Sequence, residues 1–344
     1  MRQLLNTLYV TQPNAYVHLE NDTLRVDVDR EKRLQVPLHH VGALICLGDV
    51  MLSPAALNRC AETGISVTLL DRNGRFKARL EGPVSGNILL RQAQFAKAQD
   101  ETVTLAIARA CVAGKIRNCR YVLLRSARDA NEAASADVCR LTAGELGRIL
   151  KKLPEQTTLD AIRGLEGDAA RRYFDAQPQL LRAEIREAFS MRGRSRRPPL
   201  DRFNALLSFL YALLTSECRS ALETVGLDPQ LGFLHAVRPG RPALALDLME
   251  EFRPILADRL ALTLVNRLQI KASDFDFFEG GPVQLEAAAR KTLLIAYQER
   301  KKEEVTHPLL LEKIPLGLLP QLQARLLARH LRGEIDVYIP FLMR

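Results

Sequence analysis

The pattern of apolar residues changes character once along the chain, near Gly82 and Gly86, and this change limits the fold more than any other feature. Before it, short β-prone runs follow one another at Ala15–Leu19, Leu24–Val28, Leu34–Pro37, Ala43–Leu47, Ile65–Leu70 and Phe76–Leu80. Turn residues separate several of them, such as Asn21-Asp22. Asp71-Arg72-Asn73-Gly74 between two apolar runs predicts a hairpin, because Asn-Gly tolerates positive φ. One helix interrupts these strands, with Ser53 as its cap, Pro54 in its first position and Gly64 at its end. From about Asn87 onward the apolar period becomes 3.6. It predicts helices at 88–112, 116–130, 142–152, 158–176, 179–190, 201–225, 243–270, 283–303 and 316–332. The expected class is α+β with two domains. A small N-terminal β-sandwich-like domain over residues 1–86 precedes a larger all-α domain over residues 87–344.

The 344 residues are 47% hydrophobic and 26% charged, which excludes wholesale disorder. The longest nearly apolar run, Leu206–Leu214, has nine residues and contains Ser208, whereas a membrane-spanning helix needs roughly 20. No signal peptide is legible, so the expectation is a cytoplasmic protein with no membrane association. The six cysteines form no C-x-x-C pair and are expected to remain thiols. Net charge is +9, of which residues 1–90 carry +1 and the remainder +8. A basic excess confined to one part of a chain points to a polyanionic partner. The loop Met191–Pro199 concentrates that excess, with Arg192, Arg194, Arg196 and Arg197 and no acid. It reads as a solvated loop or as a phosphate-contacting one, since Arg can hold phosphate oxygens bidentately.

Phosphate-binding glycine loops, the dinucleotide fingerprint, the G-x-S-x-G elbow and H-E-x-x-H are all absent from the sequence. Three segments hold the polar residues of interest. In TLDAIRGLEGDAARRYF, residues 158–174, Glu166 falls within the face formed by Leu159, Ile162, Ala169, Ala170 and Tyr173. A carboxylate there must be paired, protonated or metal-bound, so Glu166 is either a ligand or the partner of an arginine on a neighbouring helix. Gly164 and Gly167 beside it permit close approach of a backbone or a ligand. His235 ends the segment GLDPQLGFLH that begins at Gly226, and is either structural or a ligand. In LALDLMEEFRP, residues 244–254, Asp247 and Glu250 project to one side, three residues apart. They form either a solvated acidic face or part of a site. Pro254 cannot donate to the carbonyl of Glu250, which predicts a kink beside the acids. One imidazole with carboxylate oxygens suits Mn²⁺ or Mg²⁺, and such an ion beside a basic surface suits phosphodiester chemistry.

At these residues the sequence resembles the CRISPR-associated integrase endonuclease, the universal catalytic subunit of spacer acquisition. The matching stretches are residues 164–174, 196–214, 226–235 and 244–254, with weaker matches at 82–95, 115–118, 321–333 and 338–341. The resemblance implies metal binding by Glu166, His235 and Glu250, with Asp247 as a further catalytic acid. Glu250 stands where several relatives have Asp, and the pattern is most similar to the type I-C branch. The resemblance also implies a homodimer that joins a small ferredoxin-like adaptation partner in a heterohexamer. That assembly would bind double-stranded DNA and insert short fragments into a CRISPR array by direct transesterification, with no protein nucleophile. Two rival readings remain beside it: a structure-selective nuclease for branched DNA in repair, and a non-catalytic nucleic-acid-binding scaffold.

Overall fold

The structure, a computed structural model, describes residues 6–72, 74, 76–80, 82, 88–191, 193–195 and 198–343. By compactness the chain divides into two units, one of residues 1–85 with 294–302 and one of residues 86–293 with 303–344.

The first unit contains β1 (Asn6–Val10), β2 (Ala15–Glu20), β3 (Thr23–Val28), β4 (Glu31–Pro37), β5 (Val41–Leu47), β6 (Val50–Leu52), α1 (Pro54–Thr63), β7 (Ser66–Leu70) and β8 (Phe76–Leu80). Two four-stranded sheets form, in the orders β1-β5-β7-β8 and β4-β3-β2-β6. Asn21 and Asp22 close the β2–β3 hairpin, and Asp29 and Arg30 the β3–β4 hairpin, all four at positive φ. Such two-residue turns match the right-handed twist of the strands they join. Inward residues of both sheets share one core with α1, including Val17, Leu24, Val41, Leu44, Cys60 and Val67. This is the expected sandwich-like arrangement. The Ser53 hydroxyl accepts from Ala56 N–H, and Gly64 ends α1 at φ 71°. Gly74 N–H donates to Asp71 O at 2.9 Å in the β7–β8 hairpin, while Asn73 lies outside the described residues.

The second unit holds α2 (Ile88–Gln99), α3 (Glu101–Asp129), α4 (Ala133–Lys152), α5 (Leu159–Asp175), α6 (Ala183–Phe189), α7 (Arg202–Val225), α8 (Ala243–Met249) and α9 (Arg259–Asn266). After these come β9 (Phe275–Phe277), β10 (Val283–Leu285), α10 (Ala287–Lys302), β11 (Glu304–Thr306), β12 (Lys313–Pro315) and α11 (Leu319–Leu331). The last turns of α10, from Leu294, belong to the first unit, where Gln298 Nε2 donates to Thr7 O at 3.0 Å. Helix α7 is the spine of the second unit, with Phe203, Leu206, Leu207, Leu210, Leu213, Leu214 and Leu222 buried. Each such side chain contributes roughly 1.5–3 kcal/mol by burial.

Four expectations are corrected here. The first helical break lies at Asp100 and not near Gly114, because the Asp100 carboxylate caps α3 by accepting from Thr102 and Val103 N–H. Gly114 lies inside α3, where a Cβ would meet Pro340 at 2.9 Å, so glycine serves close packing and not a helix end. The long helix over 243–270 is broken: α8 ends at Met249, and a π-helical turn, Arg253–Asp258, leads into α9. Pro254 in that turn is the kink predicted beside the acids. The helical domain is also not purely α, since β9–β10 and β11–β12 form two small antiparallel hairpins and residues 283–285 are strand.

Candidate active site

The site is assembled from α3, α5, α8, the π turn and the loop that follows α7. That loop begins where Gly226, at φ 97°, ends α7 in a left-handed cap and Leu227 N–H returns to Leu222 O. It is then clamped from several directions. The Gln94 side chain on α2 donates to Asp228 O and Leu231 O and accepts from Asp228 N–H. Arg163 of α5 donates to Leu234 O at 2.8 Å. Gly232 crosses α8 so closely that a Cβ would lie 2.8 Å from Ala243 and from Asp247 Oδ2. Only glycine fits there.

Asp247 is the organiser of this loop. Its Oδ2 accepts from Phe233 N–H at 2.6 Å and Leu234 N–H at 2.9 Å. Its Oδ1 accepts from His235 N–H at 2.9 Å and pairs with His235 Nδ1 at 2.6 Å. With four donors around it and 1% exposure, Asp247 positions the imidazole. A carboxylate that takes Nδ1–H fixes the tautomer and leaves the Nε2 lone pair available. Nε2 points toward Glu250, 3.7 Å from Oε1.

Glu250 is buried, so the solvated acidic face does not exist. Arg253 Nη2 lies 3.1 Å from its Oε1 and Lys115 Nζ 2.8 Å from its Oε2. Burial by itself would raise the Glu250 carboxyl pKa, but Arg253, Lys115 and His235 outweigh it and hold the group at about 2. Lys115 is therefore the charged partner of Oε2, as Arg253 is of Oε1.

Glu166 sits at the rim and not in the core, and its partner is Lys115 of α3, not the arginine that was the structural alternative to a ligand role. Gly164 and Gly167 have no backbone against them, and Gly167 lines an open cleft of about 320 Å³. Lys115, Glu166, Arg171, Arg194, Arg253 and Asp258 are among its other walls. Tyr211 donates to Asp258 Oδ1 at 2.6 Å, and the guanidinium groups of Arg194 and Arg253 lie 5.1 Å and 4.9 Å from its ring centre. Burial raises the Asp258 pKa to about 6, although Tyr211, Arg194, Arg253 and Lys115 act to lower it. Of the four loop arginines only Arg194 lies within the described residues. It is anchored inward by Asn204 Oδ1 at 2.5 Å and Ser195 O at 2.6 Å. Arg192, Arg196 and Arg197 lie outside them.

The donor set suits a hard divalent cation: two carboxylates and an imidazole whose Nδ1 is held by Asp247 and whose Nε2 faces Glu250. With Lys115 between the carboxylates, no three His, Cys, Asp or Glu side chains among the described residues ring a common point closely enough for one ion.

Lys115 and Arg253 are the site residues that pattern reading passed over. Lys115 stands on the apolar stripe of α3, in line with Ala108, Cys111, Asn118, Cys119 and Val122. A cation on such a stripe demands acidic partners. Arg253 stands likewise among Leu248, Met249, Phe252, Ile255 and Leu256. Glu251 was also unseen. It is fully buried and accepts from Gln323 Nε2 and Phe341 N–H and pairs with the Tyr338 hydroxyl. Asn118 Nδ2 donates to Glu251 O and Phe341 O, so the C-terminal segment is tied to the backbone beside Glu250.

Residues 8–299 match the family of CRISPR associated protein Cas1. A CRISPR-associated endonuclease Cas1 from Moorella thermoacetica is 55% identical over 344 residues, covering 100% of both chains. A casposase bound to integration product shares the fold with a TM-score of 0.83 at 22% identity, over 97% of this chain and 93% of its own. The Cas6-RT-Cas1–Cas2 complex matches with a TM-score of 0.83 at 25% identity, over 100% of this chain and 37% of the other. Family match, whole-length identity and shared fold agree: the chain belongs to the CRISPR associated protein Cas1 family.

Proposed function

We infer that this chain is a divalent-metal-dependent DNA endonuclease and integrase, which inserts short DNA fragments into a CRISPR array during antiviral adaptation. The observation that carries the reading is the chain of contacts that links Glu166, Lys115, Glu250 and His235, from separate segments, beside a cation-lined cleft whose walls include Glu166 and Lys115. In the proposed reaction a DNA 3′-hydroxyl attacks a phosphodiester. One P–O bond forms, another breaks, and the leaving oxygen takes up a proton. Glu166, His235 and Glu250 would hold Mn²⁺ or Mg²⁺, which when bound supplies a Lewis acid for the phosphate and lowers the pKa of an attacking hydroxyl. Asp247 keeps His235 in the tautomer that presents Nε2. Lys115, Arg194 and Arg253 supply positive charge along the cleft, where a phosphate group gains charge on transfer. No protein nucleophile is needed, and none of the six buried thiols is poised as one, since burial raises the pKa of each.

The finer features follow the same reading. A Cas2-type, ferredoxin-like partner and a heterohexamer built on a Cas1 homodimer fit the Cas1–Cas2 assembly that matches this chain. The proposed DNA substrate agrees with a cytoplasmic location, and no helix among the described residues is long and apolar enough to cross a membrane. The overall sequence pattern is most similar to the type I-C branch, which is the finer assignment we propose.

The test is Mn²⁺ binding by calorimetry, together with strand transfer of a labelled duplex, in wild type and Glu166→Ala. Glu166 is the clean choice because it lies at the rim. Truncating buried Glu250 would take away the ion-pair partner of Arg253 and one of the two partners of Lys115, which costs about 3–5 kcal/mol. Glu166→Ala is expected to weaken Mn²⁺ binding at least tenfold and to remove strand-transfer product while the thermal midpoint stays near wild type. Wild-type strand-transfer rates in Glu166→Ala would refute the assignment.

A further inference from the structure

The two carboxylates assigned to the ion do not face each other across open space. Lys115 Nζ lies between them, paired with Glu166 Oε1 and 2.8 Å from Glu250 Oε2. A divalent ion held by these two carboxylates would require the volume that the ammonium fills. Two cations do not share that place, because their repulsion in a buried site outweighs what either gains. We propose that Lys115 is an internal counter-cation that gives way when the divalent ion binds, and that its ammonium then turns into the adjoining cleft, where the DNA phosphate lies. The proposal rests on the metal assignment made above.

The fold is built for such an exchange. Lys115 comes from the middle of α3, a 29-residue helix whose neighbouring side chains Cys111, Val112, Asn118 and Cys119 are buried, so its backbone stays fixed. The side chain itself is a flexible four-carbon stem with a compact charge, able to move without its helix. Its destination is already adjacent, because Lys115 is one wall of the 320 Å³ cleft that Arg171, Arg194 and Arg253 also line. The resident ammonium also explains how buried acids are tolerated before any metal arrives. Glu250 has 2% of its side chain exposed and Lys115 has 10%, and an unpaired carboxylate at such burial is strongly unfavourable. Arg253 holds the other oxygen of Glu250, so the acid keeps one cationic partner throughout the exchange.

Competition of this kind has a signature that a merely structural lysine lacks: removing it tightens metal binding. Mn²⁺ affinity is measured by electron paramagnetic resonance titration of the full chain, for wild type and Lys115→Met. The variant is expected to bind Mn²⁺ at least tenfold more tightly, to unfold at a lower temperature without metal, and to lose strand transfer. A second measurement uses wild type alone. Lys115 is labelled with acetic anhydride, with and without saturating Mn²⁺, and its modification is read by peptide mass spectrometry. Mn²⁺ is expected to raise Lys115 labelling several-fold as the ammonium leaves the carboxylates. Where Lys115→Met does not fold, the labelling alone decides. Unchanged or weaker Mn²⁺ binding in Lys115→Met, or labelling that Mn²⁺ leaves unchanged or lowers, would overturn the proposal while leaving the metal site standing. Absence of Mn²⁺ binding by wild type would overturn both.

Discussion

Asp258 shows how burial governs single residues in this protein. It is 3% exposed and faces Tyr211, and its carboxyl is raised from an ordinary value of 3.8 to about 6. The unfolded chain therefore loses this proton at lower pH than the folded one does. As pH rises from about 4 to about 6 the folded state pays an increasing penalty, on the order of 3 kcal/mol when complete. Glu250 contributes with the opposite sign. Held at about 2, it stabilises the fold above its ordinary value of 4.5 and loses that contribution as pH falls. Asp258→Asn cannot titrate, and its amide oxygen can still accept from Tyr211. Urea unfolding at pH 4.5 and pH 7.5 should show the Asn variant gaining on wild type by roughly 2 kcal/mol between the two. Glu250 is common to both proteins and cancels in that difference. An equal difference at both pH values would mean that Asp258 ionises normally in the fold.

At the scale of elements, side chains on the helices position the loop that carries His235. The segment from Gly226 to His235 carries one proposed ligand and is gripped by α2, α5 and α8 through Gln94, Arg163 and Asp247. In the arginine-rich loop only Arg194 of the four arginines lies within the described residues. Arg194 is bound to Asn204 and stacks over Tyr211, so its removal should lower stability as well as DNA affinity. For Arg192, Arg196 and Arg197 the expectation remains phosphate contact. Replacing these three by Ala and measuring DNA affinity at several salt concentrations should flatten the log–log slope by roughly 0.9 for each phosphate no longer neutralised. The weakening should be similar across unrelated DNA sequences, since phosphate contacts carry no base information. Parallel lines of unchanged slope would return the loop to a solvated connection.

At the scale of the whole molecule, residues 1–90 are nearly neutral at +1, and no proposed ligand lies among them. Their sheets end in edge strands β4 and β8, with Leu34 and Phe76 exposed. Light scattering should find the full chain dimeric and a chain beginning at Ile88 monomeric or insoluble. A soluble dimeric fragment would move dimerisation to the helical unit. The division into a β unit and a helical unit was legible from period alone, because alternation and 3.6-residue spacing are local consequences of backbone geometry. Capping at Ser53 and the Asp71–Gly74 hairpin were legible for the same reason. Strands β1 and β6 escaped, since Asn6–Val10 and Val50–Leu52 carry no alternating pattern and become strands by pairing with β5 and β2. The acids and the histidine could be singled out by residue type, but sequence left each with a structural alternative. Tertiary structure decided among them. It showed that Asp247 is consumed by four donors, that Glu250 is buried, and that Lys115, 51 residues before Glu166 in the chain, is the cation between the carboxylates. Hydrophobic periodicity is written along one segment, whereas the pairing of buried charges depends on which segments meet, and only the folded chain brings them together.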